Sequence, residues 1–113
     1  MADNRSLRNK PLIGLTMQNG WTNGSDQPRV VLVDGILHFT GLPSGGTTTI
    51  FTTLTTLPVG YRPTSTRYLT MFLDNTPTAW VLVPMRILTT GEVQPLINLP
   101  NNTGLTFYGS VRL

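Results

Sequence analysis

Very few side chains in this sequence are equipped for chemistry. His38 is the single histidine, set between Leu37 and Phe39. A catalytic imidazole needs a nucleophile and an orienting acid, and no G-x-S-x-G phrase accompanies it. Its place reads as a hydrogen-bonded strand position. Asp26, Asp34, Asp74 and Glu92 are the acids beyond the first ten residues. Glycoside hydrolysis requires two carboxylates at a defined separation, and no spacing nominates a pair. Asp34 and Asp74 precede turn-forming residues, where a carboxylate oxygen caps backbone N–H groups. Cysteine is absent, which removes disulfides and thiolate metal sites. EF-hand spacing is absent as well. Gly45-Gly46 is followed by neither lysine nor a helix start, so a turn is preferred to a phosphate cradle. The expectation is a protein that is not an enzyme and holds no metal or cofactor.

The elements that must position any binding residues follow from composition and punctuation. The chain has 113 residues, the size of one domain. Charged residues make up only 12%, about half the usual share. Threonine fills much of the gap, with nineteen copies, while Lys10 and Glu92 are the sole lysine and glutamate. Threonine is β-branched and favours pleated strands over helices. The net charge of +3 does not imply nucleic acid, because the arginines are dispersed rather than striped. No apolar run approaches the ~18 residues of a spanning helix, and the start shows no signal-peptide core. No membrane insertion is expected, and synthesis is expected in a cytoplasm.

Residues 1–11 are polar and basic and read as a flexible tail or linker; residues 12–113 read as one β domain. Strands are expected over Leu12 to Gln18, Arg29 to Val33, Ile36 to Thr40, Thr47 to Thr56 and Arg67 to Leu73. Others are expected over Ala79 to Val83, Arg86 to Thr89, Glu92 to Leu96 and Leu105 to Leu113. Asp34-Gly35 is a two-residue type I′ hairpin signal, and Asn19-Gly20, Asp74–Pro77 and Thr90-Gly91 mark further turns. The run Ala79 to Val83 suggests burial on both faces, or a bend at Pro84. Leu105, Phe107, Gly109 and Val111 fall on one face. Eight or nine short strands at regular spacing predict an all-β antiparallel sandwich, jelly-roll-like.

Three phrases carry a family resemblance. They are the strand into an N-G-W turn at Leu15–Thr22, the hairpin at Val33–Leu42, and the stretch Leu54–Pro63, which contains L-P-V-G-Y-R-P. Their order and separation resemble the C-terminal head domains of tail fibres and baseplate receptor-binding proteins of phages and prophages of Gram-positive bacteria. Ile87–Val93 and Leu105–Val111 are similar to later parts of the same heads. The resemblance implies a homotrimeric head at a phage tail or baseplate tip. It also implies host recognition through a cell-wall polysaccharide or teichoic acid, contact with other tail or baseplate proteins, and a virion location. The alternative is a purely structural trimerisation, capping or decoration domain with no ligand. In the L-P-V-G-Y-R-P phrase, two prolines stiffen the loop, Gly60 supplies the turn, and Tyr61 lays its ring on the core while its hydroxyl caps a loop carbonyl. Trp21 reads as a core or interface anchor. Leu12, Ile13 and Phe107 are the candidate contacts of a trimer.

The resemblance transfers no sugar-contacting residues, so the candidate site comes from residue type. A sugar site combines an aromatic face with amide, carboxylate or guanidinium groups. Trp80, Asp74, Asn75, Arg86, Tyr68 and Arg67 provide these around one stretch of chain. The competing roles are a core position for Trp80, within an apolar run, and a cross-hairpin pairing of Arg86 with Glu92.

Overall fold

The computed structural model describes residues 9–76, 79–99 and 104–113, with 73–76 and 79–81 described through their backbone. These residues form nine strands: β1 (Lys10–Gly14), β2 (Thr22–Val33), β3 (Ile36–Ser44), β4 (Thr55–Thr56), β5 (Arg67–Thr76), β6 (Ala79–Ile87), β7 (Glu92–Pro95), β8 (Gly104–Thr106) and β9 (Gly109–Arg112). Among the described residues there is no helix. The strands pair antiparallel in the order β1-β2-β3-β8-β5-β6-β7-β4, with β9 also on β3. One continuous sheet curls so that its apolar face closes on itself. Val30, Leu32, Leu37 and Phe39 from β2 and β3 thereby join Met71, Val83, Met85 and Ile87 from β5 and β6 in one buried cluster. The fold is all-β and antiparallel, as composition and turn spacing imply.

Local sequence explains most of the strand boundaries. Asp34 and Gly35 adopt φ of 51° and 78°, both positive as a type I′ turn requires, and the turn sets Val33 opposite Ile36. Alternation then buries Val30 and Leu32 on one strand and Leu37 and Phe39 on the other. The ordered sheet starts slightly before Leu12. Lys10 pairs with Leu32, and the Asn9 side chain accepts a hydrogen bond from the Asp34 amide at 2.7 Å.

Three strand expectations are corrected. Only Thr55–Thr56 of the run 47–56 joins the sheet. The rest loops, its donors taken by tertiary partners: the Ile50 amide by Asn98 Oδ1 at 2.7 Å and the Phe51 amide by the Pro95 carbonyl at 2.9 Å. A run of β-branched residues does not make a strand when its amides bond elsewhere. The final stretch is two strands, because the Phe107 amide turns aside to the Gly41 carbonyl. Its face pattern nevertheless holds, with Leu105 and Phe107 buried. Finally, β6 continues through Pro84 to Ile87. Leu82 is exposed while Val83 is buried, so that part of the apolar run is buried on one face only. The Pro84 carbonyl accepts from Leu96. The missing Pro84 donor therefore lies on the same side, beyond the end of β7 at Pro95, where it costs the ladder nothing.

Candidate functional site

The β5–β6 hairpin separates inner from outer side chains by simple alternation. Leu69, Met71, Val83, Met85 and Ile87 are buried; Tyr68, Thr70, Leu82, Pro84 and Arg86 occupy the intervening positions. Tyr68 stands directly opposite Arg86, and Arg86 opposite Gln94 on β7. Side chains paired in this way lie about 5 Å apart at their Cβ atoms. An aromatic, a guanidinium and an amide thus form a row across three strands. Tyr68 is 65% exposed, whereas Gln94 is buried.

Gln94 is the organising group of the row. Its carbonyl oxygen accepts from Arg86 Nε at 2.9 Å. Its amide nitrogen donates to Thr53 Oγ1 at 3.0 Å and to Glu92 Oε2 at 3.2 Å. Glu92 also accepts from Thr53 Oγ1 at 3.3 Å and Thr90 Oγ1 at 2.8 Å. Arg86 and Glu92 are therefore linked through Gln94 rather than by the direct pairing the sequence suggests. The guanidinium is covered by Phe51, its Cζ lying 4.2 Å from the ring centroid, a cation–π arrangement.

The sequence-based candidates do not form a single cluster. Tyr68 and Arg86 come together. The backbone register also pairs Asp74 with Trp80, but six residues along the hairpin is about 20 Å from Tyr68 at the usual strand rise. The side chains of Asp74, Asn75 and Trp80, and the turn at Pro77, lie outside the described residues. Arg67 shares the inner face of Leu69, and its Nε is buried with no hydrogen-bond partner. It does not join Tyr68 and Arg86. Phe51, which completes the row, sits in a threonine-rich run whose sequence offers no sign of the contact.

Other singled-out residues have structural roles. Tyr61 is buried and its hydroxyl donates to the Pro11 carbonyl at 2.6 Å. Burial pushes its phenol above the ordinary range. Trp21 is also core and donates from Nε1 to the Thr47 carbonyl at 3.1 Å. His38 Nδ1 lies 2.7 Å from Ser110 Oγ, a cross-strand bond between β3 and β9. Among the described residues, no three His, Cys, Asp or Glu side chains gather as metal ligands. A groove of about 340 Å³ opens between β2, β3 and β8, lined by Ser25, Leu42, Ser44, Leu105 and Thr106.

Compared by sequence, the chain matches no family model and no curated protein. Compared by fold, it is similar to a phage protein. The crystal structure of the receptor binding protein (gp15) of Listeria phage PSA superimposes with a TM-score of 0.67. The match covers 96% of this chain and 69% of that one at 16% sequence identity. At that identity the likeness concerns the fold.

Proposed function

We propose that the chain is the receptor-binding head of a phage tail fibre or baseplate, a non-enzymatic domain recognising a saccharide on the host cell surface. The observation that carries this reading is the likeness of nearly the whole fold to a phage receptor binding protein. Tyr68 and Arg86 add the aromatic surface and guanidinium that a sugar site needs. The partner class is a cell-wall polysaccharide or teichoic acid. The assembly is a homotrimer at the tail tip, in contact with other tail or baseplate proteins. Leu12 and Val33, both exposed on the β1–β2 side of the sheet, are its contact residues. Of the other two expected contacts, Phe107 is fully buried and Ile13 is partly buried against the core.

The same exposed apolar residues favour a second reading, a structural trimerisation or capping domain without a ligand. Whole-cell binding and a glycan array with the purified chain separate the two. Strain-specific binding that Arg86→Ala abolishes, with the melting temperature within a few degrees, supports recognition at this row. Normal binding by both Arg86→Ala and Asp74→Ala places the site elsewhere. A trimer that binds no strain and no glycan leaves architecture. Light scattering decides the assembly: a mass equal to one 12.4 kDa chain at micromolar concentration refutes the trimer.

A further inference from the structure

Phe51 is held at a φ of 65°, a region that bulky L-residues adopt only when their surroundings impose it. The constraint is visible on both sides of the residue. The amides of Ile50 and Phe51 are bonded to Asn98 and Pro95, the Thr52 amide donates to the Thr49 carbonyl at 3.1 Å, and the Leu99 amide donates to the Thr48 carbonyl at 2.8 Å. This geometry does not deliver a core side chain, because the ring is 46% exposed. Backbone strain of this kind clusters at functional sites. The ring covers the Arg86 guanidinium, which stands opposite Tyr68. Two exposed aromatics are thus associated with one cation, Phe51 by ring contact and Tyr68 by cross-strand register.

The charge around these residues selects the ligand. Arg86 carries one positive charge and Glu92 one negative, and the buried Gln94 amide joins them by bonds of 2.9 and 3.2 Å. The two linked charges cancel as a pair, and Arg62, packed against Gly91 next to Glu92, adds one positive charge beyond them. An anionic group drawn to the guanidinium would also feel the nearby carboxylate, whereas a neutral ligand carries no such penalty. Exposed aromatic faces suit the apolar C–H face of a pyranose, and guanidinium N–H groups suit its hydroxyls.

Building on the receptor-binding reading above, we infer that Phe51, Tyr68 and Arg86 form a subsite for a neutral pyranose unit. Phe51 is its specificity-determining residue, and Gln94 is the positioning residue that fixes the guanidinium. The experiment is an NMR titration of the ¹⁵N-labelled chain with methyl glycosides of galactose, glucose, rhamnose and N-acetylglucosamine. A glycerol phosphate oligomer serves as the anionic probe, and the same preparation is assayed for binding to a panel of Gram-positive strains. The expected result is that at least one neutral glycoside shifts the Phe51 amide and the Arg86 Nε–H. Phe51→Gly should then weaken that binding at least tenfold while the melting temperature holds or rises, since glycine relieves the positive φ. Glycoside binding that shifts other residues and survives Phe51→Gly overturns the inference. So does a phosphate oligomer that perturbs these residues more strongly than any glycoside. Cell binding by the wild-type chain with no response to any glycoside overturns the inference and leaves the receptor reading standing. Failure to bind any strain or probe refutes both.

Discussion

Replacing Tyr61 by phenylalanine removes one oxygen from the corner that the L-P-V-G-Y-R-P phrase builds. The hydroxyl donates to the Pro11 carbonyl at 2.6 Å, which ties the loop after β4 to edge strand β1. A neutral hydrogen bond of this kind contributes about 1 kcal/mol net. Pro11 is exposed, so water can take up its carbonyl in the variant and the loss stays near that figure. For a domain of this size it corresponds to a fall of roughly 4 °C in melting temperature. The pH dependence adds a second signature. Burial raises the Tyr61 pKa, and ionisation would also surrender the donor to Pro11. Between the ordinary phenol value near 10 and the higher folded value, the unfolded chain has lost a proton that the folded chain keeps. Tyr61 therefore stabilises the fold fully below that ordinary value, and its contribution declines as pH climbs through the window. Urea unfolding followed by tryptophan fluorescence, at neutral pH and at steps above pH 10, measures both effects. Tyr61→Phe should be less stable at neutral pH and should lose less stability on the alkaline side than the wild type. A variant with unchanged neutral stability and the same alkaline decline would refute the hydrogen bond and the burial argument together.

Two more outcomes follow from packing. Phe107→Ala should cost about 3–5 kcal/mol in equilibrium unfolding, because the ring is fully buried and meets Phe39 edge-on at 5.2 Å; a loss under 1 kcal/mol would contradict this placement. At the double glycine, a Cβ on Gly46 would stand 2.0 Å from the Trp21 ring, whereas one on Gly45 meets nothing within 4 Å. Trp21 is pinned by its bond to Thr47, so Gly46→Ala should cost about 1–3 kcal/mol in overpacking. Gly45→Ala should lose only the smaller penalty of a left-handed alanine, about 1 kcal/mol, and the reverse ranking in denaturant midpoints would show that the ring is free to move.

Much of this protein was legible without coordinates, wherever a local rule acts alone. Asp34-Gly35 dictates its turn because few residue pairs tolerate two positive φ values, and the flanking alternation then settles which residues of β2 and β3 face inward. The packing of the Tyr61 and Trp21 rings was readable for a related reason, since a large ring beside a rigid turn has little choice but to pack, although the Tyr61 hydroxyl reaches strand β1 at Pro11 and not a loop carbonyl. What the tertiary structure decided is where backbone donors find partners and which distant residues meet. Threonines 47–49, 52 and 53 carry strand propensity, yet that stretch loops because Asn98 and Pro95 claim its amides from far along the chain. Phe51 reaches Arg86 only through that loop, so neither spacing nor composition foretold the contact. The same limit separated the sugar-site candidates. Tyr68 and Arg86 became neighbours through the antiparallel register, Arg67 fell on the inner face by alternation, and Asp74 and Trp80 were carried to the far end of the hairpin. Proximity in sequence measures distance along a strand, whereas a binding site is assembled across strands, and that direction is set by sheet register.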